Sequence, residues 1–386
     1  MSQTFAVGID IGTYQVKVVI ASSSKKDQRP IILGTGHAQS RGIRHGYIIN
    51  KDDMVRTLQT AISQAEKESG VAVRRAFLSI GGIGLEEYRS RAEIIVSRAD
   101  GEVSEQDVKN VLEESERKIA TRLTNRKVIH AIPLAYRLDG DRVLGRPAGM
   151  KGTKLEVETL FVSSLEQHVN DLIAAVEELG ISVTDVMASP MAGSFVTLTK
   201  AQKIAGVVLA NIGAETVSIA VFENETPISV RVFPVGSTTI THDIALGLKL
   251  SLEDAEDAKI GAQSAPLGTQ KRLDEIITNR LTDIFRLIDV HLKRIGRNGL
   301  LPAGIVISGG GSGVTTIEDI AKAALKLPSR RATLTIPQPT KLKDSSWAVA
   351  YGLCIWGLRN EAQTSTLSSL RENASDAFQW FKQFLP

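Results

Sequence analysis

The sequence is poor in cysteine, in aromatic residues and in net charge, and these shortages exclude several classes of protein. Cys354 is the single cysteine among 386 residues, so no internal disulfide can form and we expect a reducing compartment. It lies in an apolar stretch at residues 351–356, which predicts a buried structural thiol. The formal net charge is only +3, from 46 basic and 43 acidic residues, which predicts a mixed surface and no nucleic-acid partner.

The sequence also lacks the two patterns that direct a chain into or across a membrane. The N-terminus has no basic segment followed by an apolar run and a small-residue cleavage site, so we expect no export signal. No run approaches the roughly 18 apolar residues that a spanning helix needs. Length alone predicts two or three domains. We therefore expect a cytosolic protein, unless another kind of segment contacts a membrane.

One motif is present twice. Residues 8–20 and 209–221 each predict an apolar strand, a glycine-centred turn and a second apolar strand. Gly12 in the first copy corresponds to Gly213 in the second, 201 positions later (213 − 12). A single turn of this kind is more often an ordinary β-hairpin than a ligand site. Two of them indicate two related lobes that face a shared site.

The chemistry of these turns indicates phosphate binding. Glycine at the tip lets backbone N–H groups approach a phosphate closely, because no Cβ intervenes. Asp10, at the end of the first strand, can hold a hydrated Mg²⁺ against that phosphate, and Lys17 can neutralise its charge. Residues 305–311, Ile-Val-Ile-Ser-Gly-Gly-Gly, add a strand that enters three glycines before a helix. A dinucleotide-binding motif is disfavoured, since its strand–turn–helix and glycine spacing are missing. The three elements together predict a nucleotide held between two lobes.

In this order the elements resemble the superfamily of actin, heat-shock chaperones and sugar kinases, and within it the FtsA family of bacterial cell-division proteins. The resemblance covers nearly the whole chain. It is carried by the segments SRGIRHG at 40–46, VIHAIPLAYRLDG at 128–140, PAGMKG at 147–152 with LEV at 155–157, and GSTTITHDIA at 236–245. It implies an α/β fold: a two-lobed, actin-like (ribonuclease-H-like) ATPase fold with an inserted small α+β subdomain and a C-terminal amphipathic helix.

The resemblance and the sequence pattern together assign each part of the chain to a unit. The inserted block has its own strand–helix–strand–strand pattern, and the polar stretch after residue 358 is typical of a flexible linker. The expected units are 1–84 and 163–190 for the first lobe, 85–162 for the inserted subdomain, 191–234 and 301–358 for the second lobe, 235–300 for a small helical subdomain of the second lobe, 359–375 for the linker and 376–386 for a membrane-targeting helix.

The resemblance also implies the residues of an ATP and Mg²⁺ site. The implied positions are Asp10, Gly12, Thr13, Tyr14 and Lys17 in the first phosphate loop, Gly213, Ala214, Glu215 and Thr216 in the second, Gly236 beside the phosphates, Glu256 and Lys259 beside the ribose and adenine, and Gly309, Gly310 and Gly311 in the adenosine loop. Asp10 would hold the metal through water. Without the resemblance, the pair of charges on one helical turn would equally well be a solvated ion pair.

The second phosphate loop departs from the family pattern Asp-Ile-Gly-Gly-Gly-Thr. Asn211 replaces the carboxylate, and Ala214 and Glu215 replace two glycines. An amide cannot draw a proton from a metal-held water as a carboxylate can. Glu215 brings a negative charge towards the phosphates, unless it points away or contacts the metal. We therefore hypothesise slow or absent hydrolysis, and we assign no catalytic residue.

Aromatic residues make up only 5% of the chain, yet four of them lie within residues 376–386. On a helical wheel the apolar residues of 376–386 occupy one arc of about 160°. This predicts an amphipathic helix that lies in a membrane interface, although docking on the protein's own core is the commoner use of such a helix. The expected membrane contacts are Phe378, Trp380, Phe381, Phe384 and Leu385. Because residues 371–386 carry two basic and two acidic side chains, firm attachment would need many subunits side by side.

The resemblance implies a function and leaves two alternatives. It implies an ATP-binding protein that polymerises on the cytoplasmic face of the membrane at the division site and tethers the tubulin-like protein FtsZ through residues 235–300. One alternative is a pilus-assembly protein of the same fold, which would normally lack the aromatic tail. The other is a small-molecule kinase, which needs an acidic base where this chain has Asn211.

Overall fold

The computed structural model describes residues 4–23, 30–261, 268–335, 342 and 344–367, with side chains as far as Arg359. The strands are β1 (Thr4–Ile11), β2 (Gln15–Ser23), β3 (Ile31–Gln39), β4 (Ile43–Arg44), β5 (Tyr47–Ile48), β6 (Arg75–Ile80), β7 (Glu86–Ile95), β8 (Arg126–Leu138), β9 (Asp141–Val143), β10 (Lys154–Leu165), β11 (Ser182–Ala188), β12 (Val207–Ile212), β13 (Val217–Glu223), β14 (Thr226–Phe233), β15 (Ile305–Ser308) and β16 (Ser329–Arg331). The helices are α1 (Lys51–Ser69), α2 (Glu105–Arg117), α3 (Glu166–Glu177), α4 (Ser189–Thr197), α5 (Lys200–Ala205), α6 (Ser237–Leu248), α7 (Leu252–Ile260), α8 (Gln270–Arg294), α9 (Ile317–Leu325) and α10 (Ala348–Leu367).

Two five-stranded sheets share one topology and form the cores of the two lobes. Their strand orders are β11-β6-β1-β2-β3 and β16-β15-β12-β13-β14. In each sheet an antiparallel hairpin is joined by a later parallel strand. The registers also agree, because Asp10 pairs with Lys17 in the first hairpin and Asn211 pairs with Ser218 in the second. The predicted two-lobed α/β fold is confirmed, and the sequence duplication is a duplication of structure.

Helix α10 packs across the first hairpin, and its buried side chains form part of the core. Gly8 approaches it so closely that a Cβ there would lie 2.1 Å from the Ala350 carbonyl oxygen. Tyr351 and Trp356 of the same helix are fully buried. The prediction for Cys354 is confirmed, since its buried thiol lies 3.1 Å from the Val19 carbonyl oxygen and burial raises its pKa to about 12.

The inserted subdomain is a four-stranded sheet with one helix on one face. The strand order is β7-β10-β8-β9, and α2 packs on the sheet. Ser104 and Asp107 form a capping box that begins α2. Val108 and Val111 of α2 are buried against Leu155 of β10. The short edge strand β9 is an addition to the predicted pattern.

A carboxylate whose side chain is 10% exposed joins the inserted subdomain to the second lobe. Glu87 of β7 accepts hydrogen bonds from the Ser229 hydroxyl at 2.8 Å and the Val230 N–H at 2.7 Å. His291 of α8 contacts the same hydroxyl, with Nε2 2.8 Å from it and 4.0 Å from Glu87 Oε1. Burial lowers the pKa of His291 to about 4, and Arg294, Arg231 and Arg89 act in the same direction.

We expect acid to destabilise the protein through two buried neutral histidines. Burial lowers the pKa of His130 to about 3, and its Nε2 accepts the Ala188 N–H at 3.0 Å. Below pH 6.5 the unfolded chain binds a proton at His130 and His291 that the folded chain does not, so stability falls as the pH falls. Each histidine should contribute about 1.4 kcal/mol per pH unit, down to its folded pKa.

Urea unfolding from pH 7 to pH 4 measures this slope. His291→Gln should reduce it by the share of one histidine over that range. A mutant slope equal to that of the unchanged chain would contradict the assignment of His291.

Helix α10 corrects one predicted boundary. The sequence predicts a flexible linker from residue 359, but the helix continues to Leu367. Arginine, glutamate, alanine and glutamine at 359–363 favour helix, and extending an existing helix needs no new nucleation. The rest of the predicted linker and the aromatic segment 376–386 lie outside the described residues. Among the helices that the structure describes, none combines the length and hydrophobicity needed to cross a membrane.

Candidate nucleotide site

The first phosphate loop is a tight turn between β1 and β2. The Gly12 N–H donates to the Gln15 carbonyl at 3.2 Å, and Thr13 and Tyr14 lie at the tip, where Tyr14 is 60% exposed. Ser40 braces the loop, because its hydroxyl donates to the Gly12 carbonyl at 2.6 Å and its N–H to the Tyr14 carbonyl at 2.9 Å. This role of Ser40 is not predicted from the sequence, although the polar start of its segment directly after a strand is a signal for it.

Asp10 and Lys17 carry opposite charges, are cross-strand partners beneath this loop and are both partly buried. Asp10 Oδ1 accepts a hydrogen bond from the Ser79 hydroxyl at 2.7 Å. Burial raises the pKa of Asp10, while the bond from Ser79 and the charge of Lys17 oppose that rise. Burial lowers the pKa of Lys17, opposed by the charges of Asp10 and Asp344. A carboxylate held in this way can accept hydrogen bonds from a hydrated cation at the phosphate loop.

The second phosphate loop repeats the first and docks on the start of α6. The Gly213 N–H donates to the Thr216 carbonyl at 2.9 Å, as Gly12 does to Gln15. The Thr238 N–H of α6 donates to the Ala214 carbonyl at 2.9 Å. Gly236 permits this contact, because a Cβ there would lie 2.2 Å from the same carbonyl oxygen.

Glu215 contacts the other lobe. Its Oε2 accepts the His45 N–H at 2.5 Å and lies 3.9 Å from His45 Nδ1. His45 has φ +49° and precedes Gly46, which packs against Gly82 at the end of β6. The sequence left the direction of Glu215 open, and only the tertiary structure brings positions 45 and 215 together. The residue that departs from the family pattern therefore bridges the two lobes.

We expect Glu215→Gly to loosen this bridge selectively. A hydrogen bond to a charged group contributes about 1.5–3 kcal/mol, so amide hydrogen exchange at His45 should rise by roughly 10-fold or more. Exchange mass spectrometry of residues 40–46 measures the change. Glu178→Gln, which removes a surface ion pair with Lys51, is the matched control. Unchanged exchange at His45 in Glu215→Gly would show that the bridge contributes nothing.

Gly309 and Gly311 of the implied adenosine loop lie close to the second phosphate loop and to the start of α6. Gly309 has φ +88°, and a Cβ on it would lie 2.3 Å from Asn211 Oδ1. A Cβ on Gly311 would lie 3.1 Å from Ser237 Cβ at the start of α6, whereas Gly310 has open space around it. The glycine loop, the second phosphate loop and α6 therefore meet around Asn211 and Ser237.

Glu256 and Lys259 lie on α7 and face α6. Lys259 Nζ lies 2.6 Å from Glu256 Oε2 and donates to the Thr241 hydroxyl at 2.9 Å. The Lys259 side chain is only 6% exposed, whereas that of Glu256 is 42% exposed. The pair is therefore tied to the helix that supports the second loop, which a freely solvated ion pair would not be.

The donor set limits how a metal could be held. No group of three or more histidine, cysteine, aspartate and glutamate side chains suited to a metal occurs in the part of the chain that the structure describes. Asp10 is the carboxylate beneath the first loop. This arrangement fits a Mg²⁺ held through water, since Mg²⁺ retains much of its hydration shell beside phosphates.

Known proteins match both the fold and the sequence. The family model "Cell division protein FtsA" matches residues 208–352, and the model "SHS2 domain inserted in FTSA" matches residues 82–163. The FtsA of Bacillus subtilis is 28% identical over 375 residues, covering 92% of this chain and 83% of that protein. The FtsA of Pseudomonas aeruginosa is 27% identical, covering 94% and 91%.

Solved structures agree on the fold. The PilM–PilN type IV pilus biogenesis complex superposes with a TM-score of 0.70 at 16% identity, covering 92% of this chain and 98% of that chain. MreB5 of Spiroplasma citri bound to ADP gives 0.54 at 12% identity, covering 94% and 98%. At these identities the structures support an actin-like fold only, and the pilus alternative gains nothing further. In contrast to the solved structures, both sequence relatives are FtsA proteins and both family models refer to FtsA. The chain belongs to the FtsA family of cell-division proteins.

Proposed function

We propose that this protein binds ATP with Mg²⁺ between its lobes, polymerises on the cytoplasmic face of the membrane at the division site, and tethers the FtsZ ring there. The observation that carries the proposal is the pair of equivalent hairpin loops, one per lobe, of which the first has the partly buried Asp10 carboxylate and Lys17 beneath it. Those two charges suit a metal-bound phosphate.

Different residues of the chain would bind the phosphates, the metal's water and the adenosine. Backbone N–H groups of the loops at Gly12 and Gly213 would contact the phosphates. Asp10 would hold the metal's water, and Lys17 would balance the charge. Gly309–Gly311 would leave room for the adenosine against bare backbone, with α6 and α7 alongside. Bound Mg²⁺ would neutralise the phosphate charge.

Hydrolysis is expected to be slow or absent. Asn211 offers an amide at the second strand end, beside the Gly309 backbone, and Glu215 is engaged by His45. Neither is therefore available as a general base. Phosphate release at ordinary ATPase rates that is lost in Asp10→Ala would contradict this part of the proposal. The amide also disfavours the kinase alternative.

The surfaces proposed for partners use residues other than those of the nucleotide site. The small helical subdomain exposes Leu246, Leu252 and Ile260, which are 81%, 58% and 64% exposed. Exposed apolar residues grouped on one unit are typical of a protein contact, which supports FtsZ binding at 235–300. The aromatic segment 376–386 supplies the membrane contact that the sequence predicts. A filament of many subunits would make weak individual anchors effective.

Electron microscopy on a lipid monolayer tests the proposal. With ATP and Mg²⁺ we expect filaments on the lipid, and none on monolayers exposed to protein that lacks residues 376–386. Addition of FtsZ should then recruit it to the same lipid. Protein that binds the lipid only as scattered single particles, with or without ATP, would refute polymerisation.

A further inference from the structure

A basic groove at the junction of the inserted subdomain and the second lobe has no role in the function proposed above. It has a volume of about 310 Å³ and none of the nucleotide-site residues line it. Its charged lining consists of four arginines and two glutamates: Arg89, Arg137, Arg142, Arg297, Glu158 and Glu223. The apolar lining includes Ile228 and Ile295 of the second lobe. Both units therefore build the groove.

Both glutamates of the groove are already paired. Glu158 Oε2 accepts from Arg91 at 2.9 Å, and its Oε1 lies 3.6 Å from Arg89. Glu223 is bound by Arg297 through two contacts of 2.9 Å. The negative charges of both glutamates are therefore balanced by Arg89, Arg91 and Arg297. Neither carboxylate forms an ion pair with Arg137 or Arg142.

Arg137 and Arg142 lie directly opposite each other. They are direct cross-strand partners on β8 and β9, and both are exposed. Across the sheet the other neighbour of Arg137 is Glu156, whose carboxylate is paired with Lys154 at 3.3 Å. Among the described residues, no ion pair involves Arg137 or Arg142. Like charges directly opposite each other destabilise a sheet, so this pair lowers stability in the free protein.

We propose that this groove binds a small polyanion with two or more phosphate groups. Two adjacent guanidinium groups present planar donors that match phosphate oxygens, and the anion would remove their mutual repulsion. The volume lies at the lower end of the range for ligand clefts, which favours a small molecule over a folded partner. Because the lining comes from both units, a bound anion strengthens the connection between the inserted subdomain and the second lobe.

Calorimetry of the full chain with sodium pyrophosphate tests the site. Replacing both arginines, Arg137→Gln with Arg142→Gln, should weaken pyrophosphate binding by at least 10-fold and leave ATP affinity, measured on the same samples, unchanged. Arg330→Gln on β16, an exposed arginine outside the groove, is the matched control and should change neither. No binding to the unchanged chain, or equal binding to the double variant, overturns the proposal. A glutamate-rich peptide that binds these arginines when pyrophosphate does not also overturns it, and indicates an acidic protein partner.

Thermal unfolding gives a second readout that does not depend on the double variant. Arg142→Gln alone, on the three-residue edge strand, should raise the unfolding midpoint without ligand, because it relieves the cross-strand repulsion. It should also reduce the upward shift that pyrophosphate produces in the unchanged chain. A midpoint that falls without ligand, or a pyrophosphate shift that is not reduced, counts against the proposal.

Discussion

Removing residues 376–386 is expected to reduce sedimentation with liposomes to the background level while leaving the unfolding midpoint unchanged. The segment carries Phe378, Trp380, Phe381 and Phe384 in a chain with 5% aromatic residues. Burying four aromatic side chains and a leucine in a membrane interface would contribute several kcal/mol at about 25 cal/mol per Å². No spanning helix occurs among the described residues that could replace this contact.

Paired substitutions separate the apolar face from a general effect of the tail. Phe381→Ser with Phe384→Ser should abolish pelleting, whereas Gln379→Ser with Gln383→Ser, on the opposite side of the predicted helix, should preserve it. Increased salt should have little effect, because residues 371–386 have balanced charge. Full pelleting by the truncated chain would eliminate the tail as the anchor.

Asp10→Asn is expected to weaken Mg²⁺-dependent ATP binding by about 100-fold, or about 2.7 kcal/mol. The substitution gives the first hairpin the amide that Asn211 gives the second. It preserves the size of the side chain and an acceptor for Ser79, so the loss should come from the missing negative charge. Fluorescent-nucleotide titration with and without EDTA measures it. If Asp10 acts through the metal, as proposed, the difference between the two proteins should be much smaller in EDTA.

Two further substitutions serve as controls for Asp10→Asn. Asp283→Ala removes an exposed ion pair with Arg286 and should leave ATP affinity unchanged. Ser79→Ala removes the hydroxyl that orients Asp10 and should give a smaller loss. An Asp10→Asn protein that is folded and binds Mg²⁺-ATP as tightly as the unchanged chain would show that Asp10 does not hold the metal.

Local patterns predicted the repeated parts of this fold well. The two hairpins were predicted because apolar runs around a glycine turn depend on nearby residues, and their structures agree even in register. The capping box at Ser104 and the buried thiol of Cys354 are equally local features. The extension of α10 beyond residue 359 differs from the prediction, because a polar composition is typical of a linker, whereas helix propensity and the preceding packed turns favour helix here.

Contacts between segments that are far apart in the sequence could not be predicted from the sequence. Ser79 donates to Asp10 across 69 positions, and His45 donates to Glu215 across 170. The residues that neighbour Glu215 in the sequence do not indicate which backbone group its carboxylate contacts in the folded protein. The same holds for Glu87, whose partners in the second lobe lie more than 140 positions away.

The sequence by itself determined the duplicated hairpins, the family and the asymmetry between Asp10 and Asn211, because strand patterning, glycine turns and residue chemistry are written locally. The tertiary structure alone decided where the unusual side chains act. It turned Glu215 into a bridge between lobes, it buried Lys259 beneath α6, and it left Arg137 facing Arg142 in a groove shared by two units. Those outcomes depend on how separately folded surfaces meet, and that is set by packing over the whole chain.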